Sequence, residues 1–131
     1  MKTFITYHFP AILYGLLILV LSSIPKESLP EISLLRADKL MHFLEYALFA
    51  ILIYRSFTHL LTRFGTRYVF LASFVFMLLF SMLDEAYQNY VPGRHSDILD
   101  IILDVLGASL ILVLLWIRQK RRYDKKAAKG L

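Results

Sequence analysis

Four apolar runs, at about 4–24, 40–57, 68–83 and 98–117, take up most of a chain of 131 residues. A hydrocarbon core about 30 Å thick needs about 20 helical residues to cross it. Inside it, every backbone N–H and C=O must be satisfied within the protein, so runs of this length can only be helices. The pattern predicts a single domain, 1–131, folded as an all-α integral membrane bundle of four transmembrane helices. The mean hydropathy of +0.59 and the 58% hydrophobic content agree, because soluble proteins use about 45–50% apolar residues. The uncharged part of the third run gives only about 24 Å of helix at ~1.5 Å per residue. That third span is therefore expected to continue through Asp84, Glu85 and Gln88, to about residue 90.

A signal peptide is the rival reading of the first run, which follows Lys2. The run is long for a signal h-region, and Ser22-Ser23-Ile24-Pro25 is no small-residue cleavage site, so an uncleaved span is expected. Without cysteine there is no disulfide, thiolate metal site or thiol nucleophile. The net charge of +5 does not point to nucleic acid, because seven of the 15 Lys and Arg lie in 118–129, directly after the last run. Such a cluster reads as a cytoplasmic tail, 118–131, facing anionic lipid headgroups.

Charge also gives an orientation. With four spans, Lys2, Arg55, Arg63, Arg67 and the tail share one face, against Lys26, Arg36, Lys39 and Arg94 on the other. The richer face is expected to be cytoplasmic, with both termini inside. Nine of the ten acids then fall on the outer half, all but Asp124. The inner link, 58–67, is short and basic; the outer link, 25–37, carries Ile32, Leu34 and Leu35, which would let it lie on the membrane surface. Tyr54, Tyr68, Trp116 and Tyr123 read as an inner aromatic belt, and His8 and His59 as interfacial.

Ionisable residues at the edge of hydrocarbon are costly and normally face the bundle interior, which makes them functional candidates. On the second helix Asp38, His42 and Glu45 share a face; on the third Asp84 and Gln88 are one turn apart, beside Glu85. On the fourth, Asp100 and Asp104 form a stripe with Gly107, a residue that allows close helix approach. These stripes are expected to converge around Arg94. Asp38, Ser96 and Asp97 also have a plainer reading as helix caps, and Pro92-Gly93 as a turn.

At these positions the chain resembles the VanZ-like family of small bacterial membrane proteins. The resemblance rests on Asp38-Lys39-x-x-His42-Phe43-x-x-Tyr46, Asp84-Glu85-x-x-Gln88, Pro92-Gly93-Arg94, and Asp100 with Gly107. It covers about residues 38–107, more than half of the chain. An Asn often stands in the family where this chain has Asp104. The resemblance implies a multi-pass protein of the bacterial plasma or inner membrane, related to one associated with teicoplanin resistance. The family carries no settled biochemical activity. Tyr46 and Gln88 join the candidate site on this ground.

Three functions remain open at this level. A cell-envelope factor would bind a membrane lipid or lipid-linked cell-wall precursor, with Lys39 and Arg94 on its phosphate or carboxylate. Asp38, Tyr46, Gln88, Asp100 and Asp104 would complete that ligand site. A membrane enzyme would use Asp84, Glu85 and His42 as acid–base groups, or several carboxylates to hold Mg²⁺ or Ca²⁺. Lipid phosphatase chemistry normally draws on more Arg and His than Arg94, His42 and His95 provide. A proton-coupled transporter or flippase would need a pathway that four short spans supply only as a homo-oligomer.

Overall fold

The computed structural model describes residues 2–25 and 34–128, and their side chains except at 34–38 and 126–128. Four helices make up the fold: α1 (Phe9–Ser22), α2 (Leu34–Leu60), α3 (Thr66–Gln88) and α4 (Ile98–Ala128). A π-turn, Phe4–His8, leads into α1. Pro10 explains it, because a proline ring clashes with the carbonyl four residues earlier and a wider turn relieves the clash. Each helix is long and apolar enough to cross a membrane, with candidate spans Phe4–Ser22, Lys39–Leu60, Thr66–Gln88 and Ile98–Lys125.

The expected extension of the third span is present, since α3 stops at Gln88 and carries both acids inside its last turns. Two boundaries differ from the sequence reading. α2 begins at Leu34, so Asp38 lies within the helix instead of capping it. The basic segment after residue 117 continues α4 to Ala128 as helix, not as a separate tail. The expected surface position of Ile32 and of the Leu34 and Leu35 side chains lies outside the described residues, as does the side chain of Asp38.

α2 is the central element. It packs most extensively on α4 and also on α3, α4 packs on α3, and α1 leans on α2 with a lighter contact to α3. Gly107 makes the α2–α4 approach feasible, because a Cβ there would run into the backbone carbonyl oxygen of Phe43. Between the helices sit Tyr46, Phe49, Ile53, Met77 and Leu112, all buried, with Phe49 edge-on to Phe76 and Phe80. Leu13, Leu17, Leu48, Leu79, Leu106 and Leu110 point outward. A soluble protein would not expose so continuous an apolar surface, but lipid tails solvate it without penalty.

The two ends of the bundle differ in chemistry. At one end the π-turn before α1 meets α2 through His8 Nδ1 and Ser56 Oγ (2.7 Å) and stacked Tyr7 and His59, and α2 meets α4 through the Tyr54 hydroxyl donating to Gln119 Oε1. Tyr54 is thus a buried tie between α2 and α4, whereas Tyr68 and Tyr123 are exposed as a belt requires. The other end gathers the acids.

Candidate functional site

α3 presents Val69, Ser73, Met77, Ser81, Asp84, Glu85 and Gln88 to the interior, a face that is apolar at one end and polar at the other. The helical repeat alone aligns these positions. α2 brings His42 and Tyr46 against that face, and α4 brings Asp100 and Asp104; these four side chains and those of Ser81, Asp84, Glu85 and Gln88 are all buried.

At the centre, His42 Nδ1 lies 3.1 Å from Asp104 Oδ1, and Ser81 Oγ donates to Asp104 Oδ2 at 2.7 Å. Asp104 is fully enclosed, so both of its oxygens are satisfied by side chains from two other helices. Above it, Lys39 Nζ donates to Asp97 Oδ2 and Asp100 Oδ1, each at 3.0 Å. Glu85 Oε2 accepts the Asp97 backbone N–H at 2.8 Å, and Gln88 Nε2 donates to Glu85 Oε1 at 3.3 Å. The Tyr46 hydroxyl donates to Asp84 Oδ2 across 3.4 Å, a long bond. Ser22 and Gln88 flank the same carboxylate, yet Asp84 Oδ1 is buried without a hydrogen-bond partner. A carboxylate oxygen so placed is costly unless something else supplies positive charge.

Asp97 both caps α4 and pairs with Lys39. Its carbonyl accepts from Asp100 N–H and its Oδ1 from Leu99 N–H, which makes it the N-cap of α4. Its carboxyl is held below the usual carboxylate range, first by that Leu99 N–H and then by the Lys39 ammonium.

Arg94 departs from its expected place at the hub of the acids. Val91-Pro92-Gly93-Arg94 closes with Arg94 N–H to Val91 C=O, and Gly93 at φ 74° suits the third position of a type II turn. The turn delivers the guanidinium to Ile24 C=O, Leu21 C=O and Gln88 Oε1, all neutral acceptors. Arg94 thus closes the C-terminal end of α1, where orphan carbonyls and the helix dipole favour a cation. Among the described residues its guanidinium donates to no carboxylate, and Gln88 links it to Glu85.

Of the sequence candidates, Lys39, His42, Tyr46, Asp84, Glu85, Gln88, Asp100 and Asp104 come together, with Arg94 at the margin. Ser81 was not singled out; the signal was its place one turn before Asp84 and Glu85 on the same buried face. His42, Glu85 and Asp100 each offer a ligand atom within 4.8 Å of the other two, and all three are buried. Carboxylate oxygens with one imidazole form a donor set suited to a divalent cation, and the Asp104–His42 contact would hold the ring as outer carboxylates do in metal sites.

The sequence model of the VanZ/LLP1 family matches residues 4–119. The chain belongs to the VanZ/LLP1 family. That membership and four span-length helices make it a multi-pass membrane protein. No curated protein and no solved structure matches the chain significantly.

Proposed function

We propose that this VanZ-family protein is a cell-envelope factor that holds a divalent cation at His42, Glu85 and Asp100. Through that ion it would bind the phosphate of a lipid-linked wall precursor or related membrane lipid. The supporting observation is the charge balance of the site. Asp84, Glu85, Asp97, Asp100 and Asp104 outnumber the nearby bases even with His42 protonated, while Lys39 is held by two of those acids and Arg94 by carbonyl oxygens. Direct capture of an anion by Lys39 and Arg94 would require breaking those contacts. A bound divalent ion relieves the carboxylate repulsion and turns an acidic cluster into a phosphate-binding surface.

In this reading both termini are cytoplasmic and the acidic end faces outward, where lipid-linked wall precursors are displayed and glycopeptide antibiotics act. The link to teicoplanin resistance belongs to the same proposal. Elemental analysis of protein purified in mild detergent is expected to find about one divalent metal ion per chain, with the metal and any co-purifying lipid-linked wall precursor both lost in Glu85→Gln. The same variant should lose any protection against teicoplanin that the wild type confers on a susceptible host. Full retention of the lipid-linked precursor by metal-free wild type would sink the cation bridge.

A second reading, a membrane enzyme, is favoured by the Ser81–Asp104–His42 chain. A buried carboxylate that orients an imidazole is what general acid–base catalysis needs near neutral pH. Release of phosphate from a lipid-linked substrate, abolished by His42→Gln, would carry that reading; turnover retained by the variant would remove it.

A further inference from the structure

At the end of the bundle opposite the acids, α2 and α4 diverge around a cleft of about 770 Å³. Its walls carry Arg55 and His59 from α2, and Arg118, Arg122 and Lys125 from α4. Because α4 stays helical to Ala128, these three bases fall at i, i+4 and i+7 and share one face, while Arg55 and His59 are one turn apart. Among the described residues no carboxylate lines the cleft. The Tyr54–Gln119 hydrogen bond fastens its two walls together, and Leu115 marks where it meets the apolar part of the bundle. Tyr123 adds a hydroxyl, whereas the Thr58 hydroxyl is spent on Tyr54 C=O, and Arg55 is steadied over the Tyr7 ring at 4.9 Å.

We infer that this cleft is a binding site for a phosphate anion, carried by the headgroup of an anionic phospholipid. Four permanent cations facing one walled space, with no ion pair to any described residue, attract an anion, and guanidinium groups pair with phosphate through two N–H donors at once. The position argues for a lipid as its source. The cleft lies where spans α2 and α4 leave the hydrocarbon, so a headgroup can enter with its acyl chains still in the bilayer. Its volume also exceeds what a lone phosphate fills and suits a headgroup with a glycerol or a second phosphate. The basic segment of α4 is then one wall of a formed site and not a diffuse anchor. Lys120 and Arg121, on the same segment, do not line the cleft, and Lys120 sits over the Trp116 ring at 5.6 Å.

This difference supplies the test. Full-length protein is placed in nanodiscs containing phosphatidylglycerol or cardiolipin against a phosphatidylcholine background, and bound lipid is read by native mass spectrometry. The double variants R118Q/R122Q and K120Q/R121Q remove equal charge from exposed positions, with helix content checked by circular dichroism. The wild type and K120Q/R121Q are expected to retain the anionic lipid, and R118Q/R122Q to bind it roughly tenfold or more weakly. Equal loss in both variants would overturn the site in favour of general surface charge. Binding of inorganic phosphate with no preference for anionic over zwitterionic lipid would overturn the lipid assignment.

Discussion

Asp104 lies at the innermost point of the acidic end, where a carboxylate survives only because Ser81 and His42 satisfy both of its oxygens. Asp104→Ala should leave both partners without their bond and cost about 1–3 kcal/mol, visible as a lower Tm in detergent. Asp104→Asn, the residue the family often carries here, keeps an acceptor for Ser81 and is expected to melt much nearer the wild type. Asp97 gives a prediction in pH. Its folded carboxyl titrates below the ordinary value of 3.8, so the cap and the Lys39 pair are fully present above that value and are lost as the pH falls through the lower folded one. Protection of the Leu99 amide against hydrogen exchange should therefore hold at pH 5 and fall only in stronger acid. Asp97→Asn should keep the cap and lose the acid dependence. At this scale the sequence marked the charged residues by their cost in hydrocarbon, but it could not mark Ser81. A serine in a span is satisfied equally well by its own helix, as Ser73 is by Val69 C=O; only the facing Asp104 distinguishes the two.

At the scale of elements, the length argument for α3 succeeded because the bilayer sets a minimum that the uncharged run alone does not meet. The start of α2 and the end of α4 were less legible, because charged residues are compatible with helix and leave no mark of where a span becomes a surface turn. The junction of α2 with α4 is the most extensive helix contact among the described residues. Gly107→Ala places a methyl against the Phe43 carbonyl, and the two helices must separate to admit it. A loss of about 1–3 kcal/mol is expected, whereas Gly65→Ala, which meets nothing within 4 Å in the α2–α3 link, should unfold like the wild type. Equal melting of the two variants would show that α2 and α4 are less closely packed than this.

For the whole molecule, the separation of charge is the feature from which function follows: carboxylates at one end, a base-lined cleft at the other. The acids do not continue through the bundle, whose middle is Phe49, Met77 and Leu112, so a proton relay across it has no path among the described residues. The absence of cysteine makes the orientation easy to read. A membrane-impermeant maleimide applied to intact cells should label Ser96→Cys, in the α3–α4 link, and spare Gly65→Cys until the cells are opened; the reverse pattern would turn the protein over. By itself the sequence determined the number of helices, the extension of α3 and the gathering of acids and most bases at opposite ends, because bilayer thickness and the helical repeat act on residues in order along the chain. Only the tertiary structure decided which charge meets which. Arg94 closes α1 instead of the acids, Lys39 takes Asp97 and Asp100, and His42 takes Asp104. Those pairings depend on how far each helix is rotated and how closely α2 approaches α4, and packing sets both.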